Sequence, residues 1–246
     1  MHNHPFVVHI PHCGTKIPNQ YMEDYYLELK ELRENIFQYA DFKTDELYAP
    51  LVDSFAHIIN PYSRLFMDPE RFFDDTQEQM QVKYRLGWFY ENAILEKKPL
   101  RSTRNKEKIK EYYIKHHSEL LQKVDAQLMK HQACTIIDCH SFSNERYWFH
   151  DASLKMPDIC IGFDEYHKDE KLTEAILKEF EGFDVGINTP YSGSLVPLKY
   201  FMKNQNVKSV MIEVNKKLYL ESDNCTKNSQ FDTIKQKFKN IFENII

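Results

Sequence analysis

Short apolar runs alternate along this chain with longer stretches in which apolar residues return every three or four positions. The runs read as strands: residues 6–10, 56–60, 158–163, 184–188, 209–215 and a central stretch, Thr135-Ile136-Ile137-Asp138-Cys139-His140-Ser141-Phe142. The periodic stretches read as helices: residues 20–39, 44–55, 83–97, 104–131, 168–180 and 228–246. In the longest, Ile109, Tyr113, His116, Leu120 and Val124 form one stripe, and Thr44 is a fair N-cap for the second. Strands alternating with helices predict an α/β fold whose sheet is mostly parallel or mixed at an edge, with helices on both faces. A single domain over residues 1–246 is expected.

Composition adds exclusions. Hydrophobic residues make up 42% and charged residues 28% of the chain, an ordinary globular balance, and 6 glycines are few for an all-β fold. A net charge of −5 with both signs interspersed leaves no basic footprint for nucleic acid and no polybasic membrane patch. No window approaches the roughly 20 apolar residues of a membrane helix, and the start lacks the basic region and apolar run of a secretory signal. The 5 cysteines contain no Cys-x-x-Cys pair, and four sit in or beside apolar runs, so they read as small buried hydrophobes in a reducing compartment. The expected location is the cytoplasm. No Gly-rich phosphate loop follows the first strand, which disfavours a Rossmann nucleotide site.

Polar chemistry gathers where strands end. Side chains alternate along a strand, so Asp138 and His140 leave one face and Cys139 the other, at the sheet edge where α/β proteins hold ligands. The first strand runs likewise into Pro11-His12-Cys13-Gly14-Thr15. Catalytic zinc takes three protein ligands from His, Asp and Glu and keeps a fourth position open. His12 and His140 are suitable imidazoles. The third ligand should be a carboxylate on a nearby loop or helix start, where Asp45 is best placed. Asp138 is the alternative, although its spacing from His140 suits holding an imidazole by its other nitrogen. Glu213 ends a buried-looking strand, where a carboxylate without a purpose would be costly; a general base beside a metal-activated water would supply the purpose. Arg64 and Arg71 can each grip a carboxylate bidentately, with Asp68 and Glu70 between them, and Arg146 is a third cation. Residues 189–194, including Ser192 and Gly193, interrupt regular structure as a site loop or a plain turn would. His116 and His117 are adjacent, cannot share a helix face, and are assigned no chemistry.

At these residues the chain resembles the N-formylglutamate amidohydrolases. Pro11-His12-Cys13-Gly14-Thr15 is similar to that family's opening Pro-His-x-Gly-Thr, and Asp45-Glu46-Leu47-Tyr48 to its Asp-x-Leu-Tyr. Tyr62-Ser63-Arg64 with Asp68 and Arg71 looks like its Tyr-Ser-Arg followed by Asp-x-Asn-Arg, and Asp138-Cys139-His140-Ser141-Phe142 like its Asp-x-His-Ser. Glu213, followed by Leu218-Tyr219, resembles its late glutamate strand leading into Leu-Tyr. The match spreads over most of the chain, with five motifs in order. The resemblance implies a metal-dependent hydrolase of the formyl amide of N-formyl-L-glutamate, acting in histidine breakdown, with a fold similar to the zinc carboxypeptidases (phosphorylase/hydrolase-like). It implies one zinc ion on His12, Asp45 and His140, with Glu213 as the base and Asp138 beside it in the catalytic set. A small N-acyl amino acid is then the expected partner, met by Arg64, Arg71, Arg146, Ser192 and Gly193. Two positions depart: Glu70 stands where the family has asparagine, and Gly193-Ser194 where a Gly-Gly pair is common. These departures motivate a second reading, a family member of altered specificity or a non-catalytic binding protein that keeps the fold.

Overall fold

The computed structural model describes residues 4–74, 83–145, 147–149, 153 and 155–245. All six expected strands form, several with shifted bounds: β1 Phe6–Ile10, β2 Ala56–Ile59, β3 Cys134–Phe142, β4 Ile159–Gly162, β5 Val185–Ile187 and β6 Val207–Asn215. They make one six-stranded sheet in the order β2-β1-β3-β6-β4-β5. The strands from β2 to β6 run parallel, while β4 lies antiparallel to β6 and carries β5 parallel to itself. The sheet is therefore mixed, its reversed pair at one side. Every residue of β1, β3 and β4 is buried, as expected of central strands covered on both faces.

Helices α1 Leu29–Tyr39, α2 Thr44–Leu47, α3 Ala49–Val52, α4 Lys106–His131, α5 Glu170–Glu179 and α6 Phe231–Ile245 complete the single α/β domain. One face of the sheet packs Val8, Ile10, Ile137, Cys139 and Val210 against Leu172, Ile176 and Phe238 of α5 and α6. The other packs Val7 and Ile136 against Leu120 and Val124 of α4. The five residues of the α4 stripe, Ile109, Tyr113, His116, Leu120 and Val124, are the ones buried. Leu120→Ala should lower the unfolding free energy by about 2–5 kcal/mol in urea denaturation, because its site is fully buried. Met129→Ala on the same helix, at a side chain 88% exposed, should change it by less than about 0.5 kcal/mol.

Three helix expectations change. The first half of residues 20–39 is a short 3₁₀ helix, Asn19–Asp24, and the chain then turns extended: the Tyr26 N–H donates to the Leu100 carbonyl at 2.9 Å. Pairing with a distant segment overrides the helical spacing. Residues 44–55 split into two single turns, with Pro50 near the start of the second, where its missing N–H prevents a continuous ladder. The helix expected over residues 83–97 does not form: residues 84–97 are turns, bends and isolated bridges. Leu86, Trp88, Phe89, Tyr90, Ala93 and Ile94 are all buried there, which one helix face cannot achieve. All five cysteines are free thiols, with Cys134, Cys139 and Cys160 buried. No described helix is long and apolar enough to cross a membrane.

Candidate metal centre

The C-terminal ends of β1, β3 and β6 converge. Parallel register sets His9 beside Asp138 and His140 beside Glu213, and His12 follows β1 on a loop that closes tightly over the sheet edge. A Cβ at Gly14 would lie 2.4 Å from the Pro61 carbonyl carbon, so only glycine lets this loop rest on the end of β2.

His12, Asp41 and His140 are buried and offer ligand-type atoms within 4.8 Å of one another. Asp41 Oδ2 lies 3.2 Å from His140 Nδ1 and 3.6 Å from His12 Nδ1. The opposite ring nitrogens are already engaged: His12 Nε2 donates to Asp68 Oδ1 at 2.7 Å, and His140 Nε2 to Asp138 Oδ1 at 3.1 Å. A neutral imidazole that donates from Nε2 presents a lone pair at Nδ1, and a carboxylate on the far nitrogen is the usual support of a ligating histidine. His12 Nδ1 is buried without a hydrogen-bond partner. Two imidazole nitrogens and one carboxylate oxygen thus suit a divalent cation such as zinc. The Ser141 N–H donates to Asp41 Oδ2 at 3.1 Å, and the Thr44 hydroxyl to the Asp41 carbonyl at 2.8 Å, which fix this carboxylate in place.

Burial opposes ionisation of Asp41, but the adjoining His12 and His140 imidazoles outweigh it and hold the carboxyl below the usual range. Burial likewise opposes charge on His140, yet Asp138 and Asp41 hold its proton well above the ordinary histidine range. A bound metal would take the place of that proton.

Asp45 does not join this group. It is exposed in the single turn α2, where Thr44 and Leu47 face inward. Neighbours on a helix diverge by roughly 100°, so the turn that buries its flanking residues sends Asp45 to solvent. Asp41, in the loop between α1 and α2, takes the position expected of it. The Leu47 and Tyr48 of that motif are core instead, and the Tyr48 hydroxyl donates to the carbonyls of His140 at 3.3 Å and Ile212 at 3.1 Å.

Asp138 is fully buried, and beyond His140 it accepts from His9 Nδ1 at 2.9 Å and, on Oδ2, from the Leu195 N–H at 3.2 Å. His9 was not singled out by the sequence. Its Nδ1 is also 3.2 Å from Glu70 Oε1, and its Nε2 lies 2.8 Å from His116 Nε2. Burial disfavours charge on His9, but Asp138 and Glu70 raise it to about 9, while burial pushes His116 well below its usual range. A protonated His9 would donate from Nδ1 to Asp138 and from Nε2 to a neutral His116. His9, Glu70 and Asp138 also lie close enough to one another to form a ligand-type group.

A cavity of about 590 Å³ opens over these groups, lined by His12, Asp41, His140, Glu213, Arg64, Arg71, Lys216 and the loop Ser192-Gly193-Ser194 among others. Glu213 Oε2 is buried without a hydrogen-bond partner. Burial pushes its carboxyl up to about 8, against the lowering influence of His140. Arg64 Nε and Nη2 donate to Asp68 Oδ2 at 3.2 and 2.9 Å, and its guanidinium carbon sits 4.2 Å from the Tyr39 ring centroid. Arg71 Nε is 3.8 Å from the same oxygen. Asp68, which also accepts from the Tyr90 hydroxyl at 2.7 Å, thus offsets both arginines and occupies the fork of Arg64. Glu70 Oε1 lies 3.2 Å from His9 Nδ1. Gly193 sits at φ +79°, its N–H donating to Asn188 Oδ1 at 3.2 Å. Arg146 lies outside the described residues. Lys216, three residues past Glu213 and unmarked by any sequence pattern, lines the cavity at 2% exposure.

A family model for N-formylglutamate amidohydrolase matches residues 4–220. Comparison with curated proteins finds no match. Among solved structures, the chain is similar to the crystal structure of N-formylglutamate amidohydrolase from Ralstonia eutropha JMP134, at 20% identity and a TM-score of 0.79, over 98% of this chain and 92% of that one. It is also similar to a gene product of Agrobacterium tumefaciens, at 16% identity and a TM-score of 0.67, over 99% of this chain and 92% of that one. At these identities the structural likeness carries the fold.

Proposed function

The chain belongs to the N-formylglutamate amidohydrolase family, and on that footing we propose that it hydrolyses the amide of an N-acyl acidic amino acid such as N-formyl-L-glutamate, with one zinc ion held by His12, Asp41 and His140. The observation that carries this reading is the buried, unpartnered Nδ1 of His12 beside His140 Nδ1 and Asp41 Oδ2. A divalent metal there supplies a Lewis acid that acidifies water and polarises the amide carbonyl.

The remaining work falls to the chain's own residues. Glu213, with one buried oxygen unpartnered, would be ionised by the charge of a nearby divalent cation, and then accepts the proton of the attacking water and returns it to the leaving amine nitrogen. Asp68 and Asp138 hold the two imidazoles by their far nitrogens, so neither ring can turn away. Arg64, fixed by Asp68 and Tyr39, contributes positive potential without being free to move. Ser192 and Gly193 wall the cavity where the acyl amino acid enters. The place in histidine breakdown follows from the same family reading.

Elemental analysis of the purified protein, paired with amine release from N-formyl-L-glutamate, tests this. We expect about one zinc per chain, loss of turnover on chelation and recovery with zinc. Full turnover in metal-free protein, or no amine release from any N-acyl amino acid by zinc-loaded protein, would overturn it.

A further inference from the structure

Among the described residues, Arg64, Arg71 and Lys216 bring lysine or arginine charge to the cavity, and their situations differ. Arg64 and Arg71 both face Asp68, which lies within 2.9 Å of the first and 3.8 Å of the second. Lys216 is buried at 2% exposure, and among the described residues it forms no ion pair. Its Nζ donates only to backbone carbonyls, to Ala40 at 2.6 Å and Gln38 at 3.2 Å. An ammonium has three N–H donors, so one remains. Neutral carbonyls do not compensate a full charge, and a buried cation that no described carboxylate contacts directly is held at a cost that an incoming anion would relieve. Burial lowers its affinity for a proton, and Asp41 opposes that effect.

We propose that Lys216 is the cation that receives a carboxylate of the substrate inside this cavity, an inference that rests on the hydrolase reading above for the class of substrate. Its position suits the task. It follows Glu213 by three residues, in the 3₁₀ turn Lys216–Leu218 that leaves the end of β6, and both line the same cavity. The competing account is purely structural: Gln38 and Ala40 lie at the C-terminal end of α1, where a lysine can satisfy orphan carbonyls. The two accounts separate on charge. A cap needs a donor, and an anchor needs a cation.

The probe is glutarate, a five-carbon dicarboxylate with no amide to cleave, titrated calorimetrically into zinc-loaded parent, Lys216→Gln and Lys216→Met. Glutamine keeps an N–H donor for the carbonyls and loses the charge; methionine loses both. Melting temperature and zinc content are recorded for each protein, and Lys216→Gln carries the test if Lys216→Met fails to fold. We expect the parent to bind glutarate, with affinity falling as salt rises, and both folded variants to bind at least about tenfold more weakly, the scale of one lost hydrogen bond to a charged partner. Parent-like binding by Lys216→Gln, or no binding by the parent, would overturn the proposal. Turnover of N-formyl-L-glutamate by the parent is read alongside. A parent that binds glutarate through Lys216 but releases no amine sinks the hydrolase reading and leaves the anchor, whereas an active parent with an unaffected glutamine variant sinks the anchor alone.

Discussion

Glu213→Gln should lower kcat on N-formyl-L-glutamate by at least about a hundredfold, the lower scale of a lost general base, while zinc content stays at the parent's level. The change is nearly isosteric, and the side chain is not among the three ligand-type residues His12, Asp41 and His140. The same substitution should raise the stability of the metal-free protein above neutral pH. In the metal-free folded chain burial holds the proton on Glu213 up to about pH 8, whereas an unfolded glutamate releases it near its ordinary value of 4.5. Between those values the unfolded chain gives up a proton that the folded chain keeps, so each step upward in pH favours unfolding. Glutamine has no proton to lose. Metal-free Glu213→Gln should therefore melt close to the parent at pH 4.5 and above it at pH 9, a stability gained where activity is lost. Near-parental kcat in zinc-loaded Glu213→Gln would show that another group moves the proton, and identical melting differences at both pH values would show that Glu213 does not titrate in this range.

Asp41→Asn should weaken zinc by more than the roughly 10–100-fold that loss of an outer hydrogen-bond partner costs, and turnover should fall with it. Asparagine keeps the size of the side chain but offers a neutral oxygen where the two Nδ1 atoms converge with Asp41 Oδ2. It also removes the charge that His12 and His140 stabilise at this carboxylate. Asp45→Asn is the control, because Asp45 is exposed on α2, and it should hold zinc as the parent does. Equilibrium competition with a chromogenic chelator measures both. If Asp45→Asn loses zinc and Asp41→Asn keeps it, the carboxylate ligand has been assigned to the wrong aspartate. His140→Ala should behave like Asp41→Asn, since it removes one ligand nitrogen and leaves Asp138 with one imidazole partner fewer.

The strands were legible in the sequence because burial on both faces writes continuous apolar runs, as in β1 and β3. The stripe of α4 was legible because one face of a long helix meets one face of the sheet. Alternation along a strand also sufficed to set Asp138 and His140 on one side and Cys139 on the other, and strand ends pointed to His12 and Glu213. These are local consequences of backbone geometry. The choice of Asp41 over Asp45 was not local: the two chemically identical side chains are four positions apart, and the packing of Leu47 and Tyr48 beneath β3 and β6, with the Ser141 N–H on Asp41, goes with one facing inward and the other solvent. Register, which pairs β1 with β3 through backbone atoms alike at every residue, made His9 the neighbour of Asp138. Asp68, lying between two arginines in sequence, became the carboxylate that offsets both only when the loop folded over the sheet edge. A charge pattern along a chain states how many cations there are; which of them keeps a partner is set by distances between segments far apart in sequence, and that is why Lys216, rather than either arginine, is the buried cation in the cavity whose only described partners are carbonyls.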